Sequence, residues 1–257
     1  AVSMLALVAA LGSSTAAAVP VVIAMDGSDA PNGSQVSFNT GVNWTGDAAP
    51  APGSDYQTDT NRINTPLGTD PYIFQGDQLT VNGGFFAFKG TGTITVNSAE
   101  RPDESITDGL VLDGGALGVG TPGRANLAGL ITLKDTSNID AVAGTRGINI
   151  ASKVTGTGGL TLQSSFQTDG EVVLSNADND YSGSTQLVAT SGNVVILRAD
   201  GAGVFSPNSV VDVGATNRVV LGGNDNSVGG LAGAGIVENA NGTAAELTVQ
   251  GGGGSSF

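Results

Sequence analysis

From Leu79 onward the chain runs in short stretches of period two, three to five residues long, each bounded by Gly, Asn, Asp or Ser. The runs are Leu79–Val81, Phe85–Phe88, Ile94–Val96, Leu110–Leu112, Leu130–Leu133, Ile148–Ile150, Leu160–Leu162, Val172–Leu174, Val194–Leu197, Val210–Val213, Val219–Leu221 and Leu247–Val249. Most place two apolar side chains on one face and a polar or β-branched one on the other, which is the pattern of a half-buried strand. Once the apolar N-terminal segment is set aside, no stretch keeps apolar residues at i, i+3, i+4 and i+7 for long enough to make an amphipathic helix. The chain is predicted to be all-β.

Strand length and the residues between strands separate the all-β architectures. Strands of a β-sandwich commonly run about five or six residues and are joined by hairpin turns. Here most runs are three residues long, with Gly, Asn or Asp at nearly every bend. In a parallel β-helix each strand pairs with its counterpart one coil away, so short flat sides suffice. Its corners collect residues that tolerate positive φ or a close approach of stacked backbones. The predicted fold is therefore a parallel β-helix, or β-solenoid, over residues 79–257. Its C-terminal end reads as truncated, because Gly251 to Phe257 lacks the polar cap that closes a stack of coils.

Residues 19–78 depart from this pattern. They hold Pro31, Pro50, Pro52, Pro66 and Pro71, the single Trp44, and Tyr56 and Tyr72. They are predicted to form an irregular, loop-rich N-terminal cap with Trp44, Tyr56 and Phe74 as its small core, since an uncapped first coil would present an open strand edge. Residues 1–18 read as the remnant of a secretory signal. No charge occurs before Asp26, an apolar run from Met4 to Leu11 is too short to span a bilayer, and Ala16-Ala17-Ala18 suits cleavage before Val19.

Composition sharpens the picture in three places. The 41 Gly accompany 39% hydrophobic residues and a mean hydropathy of +0.12, so they mark corners of something folded rather than disorder. The net charge of −14, with nine Lys and Arg scattered along the chain, sets the surface against nucleic acid. The chain has no Cys and no His, which removes Ser-His-Asp and Cys-His nucleophiles, disulfides and His- or Cys-ligated metals.

The segment from Gly158 to Gly235 carries a specific set of motifs. Gly158-Gly159-Leu160-Thr161-Leu162 and Val172-Val173-Leu174-Ser175-Asn176 are two strands, and Asn179-Asp180-Tyr181-Ser182-Gly183-Ser184-Thr185 is a corner. A Gly-rich run from Val228 to Gly235 follows. Together they resemble the autotransporter-associated β-strand repeat of bacterial passenger proteins, with Asn179, Tyr181, Gly183 and Thr185 matching its Asn-x-Tyr-x-Gly-x-Thr corner. The likeness extends more weakly back to about residue 72. Asp180 and Ser184 depart from the usual Thr and Gly. The corner also has a reading without the family: Asn and Asp tolerate left-handed backbone, Gly183 permits a tight bend, and Tyr181 would shield the coil interior.

The resemblance implies a right-handed β-helix exported to the cell surface or medium, acting as stalk or adhesin. Its partners would be a host surface, a glycan or neighbouring surface proteins, and an outer-membrane translocator or anchor is expected outside this segment. Calcium is the one cofactor with a candidate site. Asp178, Asp180 and Ser182 place oxygen ligands at alternate positions as in the first half of an EF-hand loop, but Ala189 stands where the bidentate Glu belongs. No catalytic residue is assigned, and the expected role is non-enzymatic. The alternatives are a β-sandwich carbohydrate-binding module and a β-helix polysaccharide-degrading enzyme. Aromatics at 5% weigh against the first, and the lack of His and of clustered basic residues against the second.

Overall fold

The computed structural model describes residues 21–25, 37–96, 109–120, 123–141, 147–165 and 169–251. The signal remnant expected at 1–18 and most of the Gly-rich C-terminal run lie outside these residues. Every strand pair described is parallel. The sole helical element described is the 3-10 turn Gly41–Asn43. Sandwich sheets joined by hairpins are antiparallel, so this pairing sets that alternative aside.

The strands stack as a β-solenoid of about eight turns. One eight-stranded sheet takes its rungs in chain order: Arg62–Asn64, Phe85–Phe88, Ala116–Val119, Ser137–Asp140, Leu160–Gln163, Thr185–Val188, Val210–Val213 and Gly230–Gly233. Arg218 pairs with Ile236 and Thr93 with Asn126, so a coil takes between 18 and 33 residues. A 13-stranded sheet supplies the other two sides. It folds about the long strand Ala125–Leu133, whose first half pairs with Thr93–Val96 and Gly147–Ile150 and whose second half pairs with Leu110–Leu112 and Lys153–Gly156. Gly129, between the halves, has φ +99, a conformation that glycine adopts without a Cβ penalty.

Inward side chains form continuous columns. On the eight-stranded sheet the column is Ile63, Phe86, Leu117, Ile139, Leu162, Leu187 and Val213, all buried. Ala125, Ile148, Val172, Leu197 and Val219 form another on the longer sheet. Each buried Val, Leu or Ile contributes about 1.5–3 kcal/mol of transfer free energy, so cohesion is spread evenly along the stack.

All twelve expected strands are present, and among the described residues eleven more join them. Several of the additional ones, such as Arg62–Asn64, Ser137–Asp140 and Lys153–Gly156, are polar strands that bury a single large apolar side chain (Ile63, Ile139, Val154). Stacking begins before residue 79: Tyr56 pairs with Leu79 and Ile63 with Phe86, so Ser54–Gln57 and Arg62–Asn64 are already rungs. Upstream of them, Trp44 meets Tyr56 edge-on at 4.9 Å and Tyr56 meets Phe74 at 5.4 Å. Phe38 and Phe86 extend this buried aromatic plug.

Candidate functional site

The corner Asn179 to Thr185 joins Gly170–Leu174 of the longer sheet to Thr185–Val188 of the eight-stranded one. It lies as a rung over Lys153–Gly156, with the Asp180 N–H donating to the Val154 carbonyl at 3.0 Å and the Ser182 N–H to that of Gly156 at 2.9 Å. The extended backbone turns Asn179, Tyr181 and Thr185 inward, all buried, while Asp180 and Ser182 are exposed.

Asn179 ties three coils together. Its Oδ1 accepts from the Val154 N–H of the preceding coil and its Nδ2 donates to the Val204 carbonyl of the next, both at 2.7 Å. Tyr181 and Thr185 share a hydroxyl contact of 2.8 Å, Thr185 and Ser209 one of 3.0 Å, and the Ser209 hydroxyl donates to the Gly183 carbonyl at 2.7 Å. Burial pushes the Tyr181 phenol above its ordinary range, so it remains a neutral hydrogen-bonding group. Gly183 sits directly on Gly158, where a Cβ would overlap the Gly158 carbonyl. Its requirement is space rather than a left-handed backbone.

Of the calcium candidates, Asp180 has its carboxylate engaged elsewhere. The Asp180 carboxylate pairs with Lys153 Nζ at 2.8 Å and is held below the ordinary carboxylate range, first by its hydrogen bond from Lys153 and then by one from Thr155. The Asp178 N–H donates to Asn176 Oδ1 in a local turn. Among the described residues no group of three or more acidic side chains converges as a metal would require.

Two features of the surface and core have no local motif. Asn217 and Asn226 are buried and accept from the preceding coil as Asn179 does: the Val195 N–H donates to Asn217 Oδ1 at 2.9 Å, and the Phe205 N–H to Asn226 Oδ1 at 3.1 Å. A lone Asn at the head of a short apolar run was the available signal. The second feature is an ion-pair ladder on the outer face of the longer sheet. Arg124 and Arg198 both pair with Glu171, and Arg218 pairs with Glu238 at 3.2 Å. Partial burial, and then the neighbouring Arg198 charge, lower the Arg124 pKa. These partners are 20 to 47 residues apart, so only the coil register reveals them.

No family model matches the chain, and no solved structure matches it significantly. The chain is 31% identical over 196 residues to the adhesin BmaC autotransporter of Brucella suis biovar 1 (strain 1330). That similarity covers 75% of the chain but 5% of the adhesin, so the chain spans a small fraction of the relative's length. The stacked parallel coils and this similarity together fit an autotransporter passenger-type β-helix.

Proposed function

We propose that the chain is a non-enzymatic structural or adhesive passenger segment of an exported bacterial surface protein. The observation that carries this reading is the similarity to an autotransporter adhesin over 75% of the chain, joined to a continuous parallel coil stack. The side chains of the repeat corner support it. Asn179, Tyr181 and Thr185 are buried and hydrogen-bonded to protein groups, so their chemistry serves to hold coils in register. A coil stack of this kind extends by repetition and offers long exposed sheet faces to a partner. The partner would be a host surface, a glycan or neighbouring surface proteins.

Display of the full chain through a heterologous outer-membrane barrel on a non-adherent bacterial strain tests the proposal. Increased attachment to host cells or to neighbouring bacteria, with no release of reducing sugar from a polysaccharide panel, is the expected result. Polysaccharide cleavage by the purified chain would contradict it.

A further inference from the structure

We propose that the outer face of the eight-stranded sheet is a docking strip for a neutral polysaccharide. This assignment rests on the adhesive reading and gives it a ligand class. The register sets Asn138, Thr161, Gln186 and Asp212 one above another on four consecutive rungs. Successive rungs are about 4.8 Å apart. Their strand neighbours Ile139, Leu162, Leu187 and Val213 are buried, so alternation points the polar column outward. A second outward column carries Asp140, Gln163 and Val188.

The outer faces of the two sheets differ in how their polar groups are used. On the longer sheet, Arg124, Arg198 and Arg218 are spent on Glu171 and Glu238. On the eight-stranded sheet, the side chains of Asn138, Thr161, Gln163 and Gln186 make no hydrogen bond to another described residue. Their donors and acceptors stand free in a regular line.

Charge and apolar content select the occupant. Asp140 and Asp212 are the only ionisable groups in these columns from Asn138 to Asp212, so a polyanion meets only negative charge there. A protein interface core gathers aromatic, Met, Arg and aliphatic side chains, whereas this strip offers Val188, 39% exposed, as its large apolar group. Amide, hydroxyl and carboxylate groups repeating at rung spacing match a ligand that repeats hydroxyl groups at a similar rise, as an extended neutral polysaccharide does. A cleft of about 310 Å³ opens beside the column, between Gln186–Ala189 on one rung and Asp212 with Gly214–Thr216 on the next. That volume falls in the lower range of small-molecule sites and leaves room for one sugar residue beside the strip.

The test is calorimetric titration of the full chain, at physiological salt, with gluco-, manno- and galacto-configured neutral hexasaccharides and with heparin. At least one neutral hexasaccharide should bind, and T161V and Q186A should each weaken it by about 2- to 10-fold, the loss of one hydrogen bond. R198Q, on the other sheet's outer face, should leave binding unchanged, and circular dichroism should show every variant folded. Absence of binding by all neutral hexasaccharides, indifference to T161V and Q186A, or preference for heparin would each overturn the proposal. Attachment of displayed cells without binding of any neutral hexasaccharide would sink the docking strip and leave the adhesive reading standing. Hexasaccharide binding without attachment would do the reverse.

Discussion

Replacing Asn179 by Ala removes a side chain that bonds backbone in both neighbouring coils. The Val154 N–H and Val204 carbonyl lose their 2.7 Å partners, and Asn179 itself is only 2% exposed, so little solvent stands ready to replace them. A buried polar group left unpaired costs about 1–3 kcal/mol, so the two together predict a loss of about 2–6 kcal/mol. A solenoid unfolds in local units rather than all at once, and the loss should therefore be sought locally. Urea titration followed by circular dichroism should show a lower midpoint, and amide hydrogen exchange should show faster exchange at Val154. Asn179→Asp separates the two bonds. It keeps an acceptor for Val154 but sets a carboxylate oxygen against the Val204 carbonyl. Burial and that repulsion raise its pKa in the folded state above the unfolded value. Its stability should be recovered as pH falls through that raised pKa and a proton becomes available to donate. A loss below about 0.5 kcal/mol in Asn179→Ala, the range of ordinary surface changes, with Val154 protection unchanged, would refute the reasoning.

Gly183→Ala should destabilise the corner by about 1–3 kcal/mol or more by forcing a methyl group onto the Gly158 carbonyl, and near-native urea stability would contradict the close stacking. Tyr181→Phe removes one hydroxyl from the Thr185–Ser209 chain and keeps the buried ring, so a loss of about 0.5–1.5 kcal/mol is expected in the same titration. Asp180 has a folded-state pKa below its unfolded value, so its contribution is present above the unfolded pKa and disappears as pH falls through the folded one. The pair with Lys153 is exposed, so Asp180→Asn should produce only a small flattening of stability against pH at the acid end, measured by urea titration at stepped pH. Small-angle scattering of the full chain should show an elongated particle, and a compact globule would contradict continuous stacking.

The sequence revealed strands wherever two apolar residues alternate on one side, as at Leu160-Thr161-Leu162 and Val210 to Val213. It concealed strands with one inward anchor, because Ile139 between Asn138 and Asp140 has no local partner and acquires its meaning from Leu117 and Leu162 on adjoining rungs. The early rungs were obscured for the same reason, with Tyr56 and Ile63 set among Pro and polar residues. The corner Asn179 to Thr185 was visible as a motif, since its spacing is local. Its bonds to Val154, Val204 and Ser209 are not, because they cross coils 24 to 25 residues apart. The ladder on Glu171 and the open column from Asn138 to Asp212 likewise exist only in the register.

That register is the central claim, and the absence of Cys from the chain permits a direct test by engineered disulfide. Thr161 and Gln186 face outward on successive rungs as paired residues, whereas Val188 pairs with Gln163. Adjacent rungs place paired Cα atoms within the roughly 4.4–6.8 Å that a disulfide spans. This register predicts that T161C/Q186C oxidises to an intramolecular disulfide in the folded monomer while T161C/V188C remains reduced. Efficient oxidation of T161C/V188C with failure of T161C/Q186C would contradict it.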